Sequence, residues 1–223
     1  MNVKEYWKEY TEDKREKPSF DYRLLDYEKA RRILDGICSM HNISKDNFFK
    51  EWKKLTGKSS VVEKDEPWDK KGTSRLWWST GLCRWMSNEK IKDNVEQIIK
   101  MICEIRNNIE KTPEKVFERA QEIKKESNIK GRAVNILTEI MHTYNQKKFP
   151  ILNVLTITVL GELGIPNISA LPEKPNSFTS KDYGKYTSLL KDEVLNKFPI
   201  GKDDFGRVDH FFNYIYQLQK ERG

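Results

Sequence analysis

Between Lys130 and Gly164 the chain carries its densest run of apolar positions. Ala133, Ile136, Leu137, Ile140, Met141 and Tyr144 recur at the three-to-four spacing of one buried helical face. Pro150 has no N–H and pushes Phe149 toward extended geometry, so this helix is predicted to stop before the NQKKFP corner. Asn153 stands where an N-cap belongs, ahead of a second run, Val154, Leu155, Ile157, Val159, Leu160 and Leu163, that closes at Gly161 or Gly164. A helix apolar all round is buried at the centre of a domain. At about eleven residues it is too short to span a bilayer. This pair is the expected core.

Other periodic stretches surround it. Residues 1–19 read as a short amphipathic helix carrying Tyr6, Trp7 and Tyr10 and ended by Pro18. Tyr27, Ala30, Ile33, Leu34, Ile37 and Cys38 mark a helix from Asp26, its candidate cap, to Met40. Ser44 caps a third, which buries Phe48, Trp52 and Leu55 and ends at Gly57. Periodicity is lost over residues 58–74, a loop of about seventeen residues, uncommon in compact domains without a purpose. Asn88 is read as opening a long helix through Ile91, Val95, Ile98, Ile99, Ile102, Ile105 and Ile109. Thr112 and Pro113 then form an N-cap and first helical position, with Val116, Phe117, Ala120 and Ile123 behind them.

After Gly164, IPNISALPEKPNS reads as a Pro-rich loop or linker over residues 166–179. It separates a main helical domain, 1–165, from a C-terminal helical hairpin, 180–223, packed on it; a single domain is the alternative. The hairpin starts at Ser180 or Asp182 (Tyr183, Tyr186, Leu189, Leu190, Val194, Leu195) and continues from Asp203 or Asp204 (Val208, Phe211, Phe212, Ile215, Tyr216, Leu218). No alternating strand pattern of useful length occurs. The expected fold is all-α, an irregular multi-helix bundle around a buried central helix pair, with a long Trp-rich loop.

Composition narrows the class. The chain has 223 residues and a mean hydropathy of −0.79, and neither a membrane-length apolar run nor a signal-peptide pattern is present, so a cytoplasmic protein is expected. Cys38, Cys83 and Cys103 are odd in number and widely spaced without a C-x-x-C, so buried reduced thiols are the expectation. A net charge of +7 and a pI near 9.1 favour anionic partners such as nucleic acid. A well-solvated lysine-rich surface is the blander account, and the one preferred for Arg31, Arg32, Lys50, Lys53 and Lys54.

The placement of charge and aromatic rings is more telling. Trp68, Trp77, Trp78 and Trp85 are interleaved with Lys70, Lys71, Arg75 and Arg84. Aromatic faces stack on bases and basic groups neutralise phosphate; the same residue types suit a pocket around an extruded base. Trp77 and Trp85 fit the inner face of a helix, whereas Trp68 and Trp78 do not. Catalytic signals are lacking. His41, His142 and His210 are far apart without metal-ligand spacing, GKSS at 57–60 lacks the upstream glycine of a P-loop, and no G-x-S-x-G occurs. His210, beside Asp209 on an apolar helix, reads as a satisfied structural histidine. No cofactor is called for.

One resemblance stands out, on residues 130–164. The pattern A-x-x-I-L-x-x-I-M-H-x-Y-N-x-x-K-F-P-I-L-N, followed by V-L-x-x-L-G, resembles a helical element of DNA-recognition regions in prokaryotic defence proteins, among them the N-terminal parts of McrBC-type modification-dependent restriction GTPases. There a helix ends in an hxxNPxxFPhhN corner before a second helix. Asn145, Phe149, Pro150 and Asn153 match, while Gln146 stands where proline is common. The resemblance implies a DNA-binding specificity module that works with a separate motor and nuclease; the motor's GTP-binding motifs are not in this chain.

The expectation is therefore a nucleic-acid-binding module without catalysis of its own, in a restriction or defence setting, engaging DNA (duplex rather than single strand) and reading a modified base. Lys130, Arg132, Lys147 and Lys148 are the expected phosphate contacts at the two ends of the central helix, Lys70, Lys71, Arg75 and Arg84 a second basic patch, and Trp68 and Trp78 the stacking residues. The alternatives are a protein-interaction module of a phage or mobile element, with the Trp-rich loop as its hot spot, and a metal-dependent nuclease with dispersed ligands.

Overall fold

The computed structural model describes residues 2–40, 44–55, 93–126, 133–198 and 204–222. Among these residues there are nine α-helices and no strand: α1 (Val3–Glu12), α2 (Glu16–Ser39), α3 (Lys45–Lys54), α4 (Val95–Asn107), α5 (Pro113–Glu126), α6 (Ala133–Tyr144), α7 (Val154–Glu162), α8 (Ser180–Leu190) and α9 (Phe205–Arg222). The fold is all-α and multi-helical, as the periodicity predicts. One apolar cluster draws side chains from all nine helices, and Leu171 and Phe178 of the 166–179 stretch join it.

Several boundaries differ from those the pattern predicts, each for a local reason. Pro18 does not end α1; it sits in the first turn of α2, where N–H groups have no intrahelical partner and proline costs nothing. The helix expected from Asp26 therefore begins ten residues earlier, at Glu16. The true start signal of α1 is Asn2, whose side chain accepts from Glu5 N at 3.0 Å while Asn2 N donates to the Glu5 carboxylate at 2.8 Å. α4 begins at Val95 after a turn at Asp93 and Asn94, not at Asn88. Asn153 caps α7 as expected, accepting from Thr156 N at 2.8 Å.

α7 ends in a Schellman turn. Gly164 adopts φ +63°, Gly164 N donates to Gly161 O at 3.0 Å and Ile165 N to Leu160 O at 3.1 Å, with Ile165 and Leu160 both buried. The helix is less central than its composition implies. Thr156, Val159 and Leu160 are buried, but Val154 is 56% exposed. The buried member of the pair is α6: from Val134 to Tyr144 only Asn135 escapes full burial.

α4 is the other organising element. It runs antiparallel to α2, with Arg106 Nε 3.0 Å from Asp35 Oδ1 and, one turn on, Cys38 joined to Cys103 across a Cα–Cα distance of 5.4 Å. The reduced thiols expected from the sequence are thus a disulfide. Their separation of 65 residues conceals that two helix faces bring them opposite each other. A short turn folds α5 back along α4, and Lys100 meets Glu126 at 2.8 Å. No described helix is long and apolar enough to cross a membrane.

Candidate nucleic-acid interface

The corner after α6 is tied down on every side. Its carbonyls act as acceptors for distant donors: Phe149 O for His142 Nδ1 (2.7 Å), Pro150 O for the Tyr183 hydroxyl (2.8 Å), Ile151 O for the Tyr186 hydroxyl (2.7 Å), Gln146 O for Phe205 N (3.0 Å). Leu152 N donates to Thr138 Oγ1 at 3.1 Å. Phe149 and Leu152 are fully buried. An extended segment inside a helical core has no ladder of its own, so each peptide group needs such a partner. The matched residues Asn145, Phe149, Pro150 and Asn153 all lie in or beside this tied-down corner. In the sequence Tyr183 and Tyr186 are legible only as apolar periodic positions; the hint of more is that both are tyrosine, whose hydroxyl finds a partner when buried.

The two lysines of the corner part company. Lys148 Nζ donates to Ile109 O (3.0 Å) and Glu110 O (2.7 Å), closing the C-terminal end of α4. Lys147 is exposed. Lys130 and Arg132, and Lys70, Lys71, Arg75, Arg84, Trp68 and Trp78, lie outside the described residues.

The described helices nevertheless fix where those segments attach. Lys148 holds the C-terminal end of α6 beside residues 109–110, at the α4–α5 turn. A twelve-residue helix is about 18 Å long, so Ala133 lies at the far end. Lys100 on α4 pairs with Glu126 at the end of α5. Residues 127–132 link α5 to α6, and residues 56–92 lie between α3 and α4 in the chain. These two segments hold ten lysines and arginines against five acids, five of the seven surplus charges of the chain. On the helices many basic side chains have acidic neighbours, as with Arg119 and Glu122 (3.0 Å), Arg222 and Glu9 (2.7 Å), and Arg31 and Asp35 (4.0 Å).

A second feature, which periodicity does not reveal, is a buried charged cluster where α2, α6 and α9 meet. Arg23 and Asp209 form an ion pair 4% and 6% exposed. Glu139 and His142 lie beside it on α6, with the Tyr27 ring 5.0 Å from that of His142. Burial pushes the Glu139 carboxyl well up, and the charge of Asp209 adds to this. Burial raises Asp209 too, with Arg23 opposing. A buried guanidinium keeps its proton, so Asp209 is the ionised partner and Glu139 the neutral acid. Burial drives His142 down to about 3, so its imidazole is neutral and donates from Nδ1. His210 is neutral for the same reason, with Nδ1 2.7 Å from the Tyr10 hydroxyl and Nε2 3.6 Å from Glu16. It is a structural histidine.

Among the described residues no group of three or more His, Cys, Asp or Glu is placed to hold a metal ion. The chain matches no protein-family model, no curated protein and no solved structure.

Proposed function

We propose that this chain is a nucleic-acid-binding module whose ligand is duplex DNA, working in a restriction or defence setting beside a separate motor or nuclease, and that it reads a modified base. The observation that carries the proposal is the partition of charge. The described helices carry many internal ion pairs, while five of the seven surplus charges fall in 56–92 and 127–132. A polyanion is the natural partner of segments with such a surplus. Trp68 and Trp78 fall within 56–92 and supply flat faces for bases. The resemblance at residues 130–164 supports the setting.

Lys130 and Arg132 are assigned to phosphates, joined by Lys70, Lys71, Arg75 and Arg84, with Lys147 at the far end of α6. Lys148 is assigned to closing α4. Removing one basic group from a phosphate lowers the slope of log affinity against log salt by about one. The double substitution Lys130→Glu, Arg132→Glu is thus expected to reduce that slope by about two without changing the thermal midpoint. Lys148→Glu is expected to lower the midpoint. An unchanged slope in the double variant would remove residues 127–132 from the interface.

A further inference from the structure

α8 and α5 pack closely at Gly184, where a larger residue would require the Glu114 side chain to move. A Cβ built on Gly184 would stand 2.2 Å from Glu114 Oε1. Glycine inside a helix costs about 1 kcal/mol relative to alanine, and here it admits the Glu114 carboxylate onto the α8 backbone. Beneath this contact Phe117 stacks on Tyr183 with centroids 4.5 Å apart, fixing the two helices. The carboxylate lies in the wall of a cleft of about 590 Å³ between α5, α8 and the Pro166–Leu171 turn, a size suited to a small organic ligand.

Three features make this a built cleft. α8 passes into a π-turn, Lys191–Leu195, with Asn196 N bonded to Lys191 O at 2.9 Å, and this turn carries Asp192 into the wall. Such turns occur often at functional sites. Asn167 holds a left-handed conformation, φ 63°, at the mouth. Leu171 and Leu189 give the floor an apolar surface. The charged groups fall into two sets. Asp192 accepts from Asn196, and Glu193 pairs with Lys197. Glu114, Lys181 and Lys185 have neither a hydrogen bond nor an ion pair to another described side chain, although they line the same cleft.

We infer that the cleft binds a nucleoside monophosphate. Its phosphate sits between Lys181 and Lys185, which are one turn apart on α8. Its base lies on Leu171 and Leu189, and an amino or ring N–H group of the base donates to the Glu114 carboxylate. A ligand with an anionic end, a flat apolar body and a donor edge satisfies every uncommitted group at once. This site is separate from residues 56–92 and 127–132 and does not depend on the DNA proposal.

The test is calorimetric titration of the full chain with AMP, CMP, GMP and UMP, repeated on Lys181→Glu, Lys185→Glu and Glu114→Gln. Both lysines are exposed, so the charge reversals leave the fold intact, as the thermal midpoint checks. Expected are binding of at least one nucleotide by the wild type, a drop of about tenfold or more with either lysine reversal, and a flattened preference among bases with Glu114→Gln. The matching nucleoside without phosphate is expected to bind about tenfold more weakly or worse. Absence of heat with all four nucleotides would overturn the proposal, and so would binding indifferent to both lysine reversals.

Discussion

A single buried ion pair carries much of the meaning at the residue scale. Arg23 on α2 and Asp209 on α9 meet in the core, so removing one leaves the other charged and unpaired, which costs about 3–5 kcal/mol. Asp209→Asn is expected to destabilise by that order in urea unfolding. Glu139→Gln is expected to behave differently, because Glu139 is already neutral. Its carboxyl is raised in the folded chain, so its contribution is fully present below the ordinary carboxylate range and is lost as pH rises toward the raised value. The glutamine variant carries no such loss. Its stability relative to the wild type is expected to grow as pH rises above the ordinary carboxylate range, by at most about 1.4 kcal/mol per pH unit. A gap that stays flat above that range would show Glu139 to be ionised in the fold. His142 works the other way: held at about 3 against an ordinary 6.5, it withdraws stability as pH falls through that window.

These residues are not legible as a cluster in the sequence. Glu139 and His142 visibly share a face of one helix, but Arg23 and Asp209 stand on helices 186 residues apart, and periodicity cannot pair them. The caps are legible, because a cap is a local bond: Asn153 and Ser44 fall where the sequence places them, accepting from Thr156 N and Asn47 N. Pro18 misleads because proline stops a helix interior and suits a helix start equally well, and only the preceding turn decides.

At the element scale, α2 and α4 are the pair on which the frame depends. Their disulfide closes a long loop that includes α3 and residues 56–92, and such a closure restrains the unfolded chain. Reduction, or replacement of Cys38 and Cys103 by serine, is expected to cost about 2–4 kcal/mol in denaturant unfolding. The Arg106–Asp35 bridge and the apolar seam of Ile98, Ile102 and Ile105 remain, so the helical content by circular dichroism should not change. Equal midpoints with and without reductant would show the bridge to contribute nothing. The composition of α7 also misleads. Apolar residues all round suggest a central helix, yet α6, with Thr138, Glu139, His142 and Thr143 among its buried residues, is the one enclosed. Thr138 and Thr143 donate to carbonyls one turn back in α6, and His142 donates to Phe149 O of the corner, a partner held in another segment.

For the whole molecule, the division is between a helical body with many internal ion pairs and two segments that carry most of the surplus charge. The function rests on what those segments meet. The direct measurement is binding of the full chain to short DNA duplexes, plain and cytosine-modified, followed by tryptophan emission across a salt series. The account predicts tight binding at low salt, a steep fall in affinity with added salt, and a preference for the modified duplex. Steep binding indifferent to modification would keep the DNA contact and remove the base reading. No binding to either duplex at low salt would contradict the account.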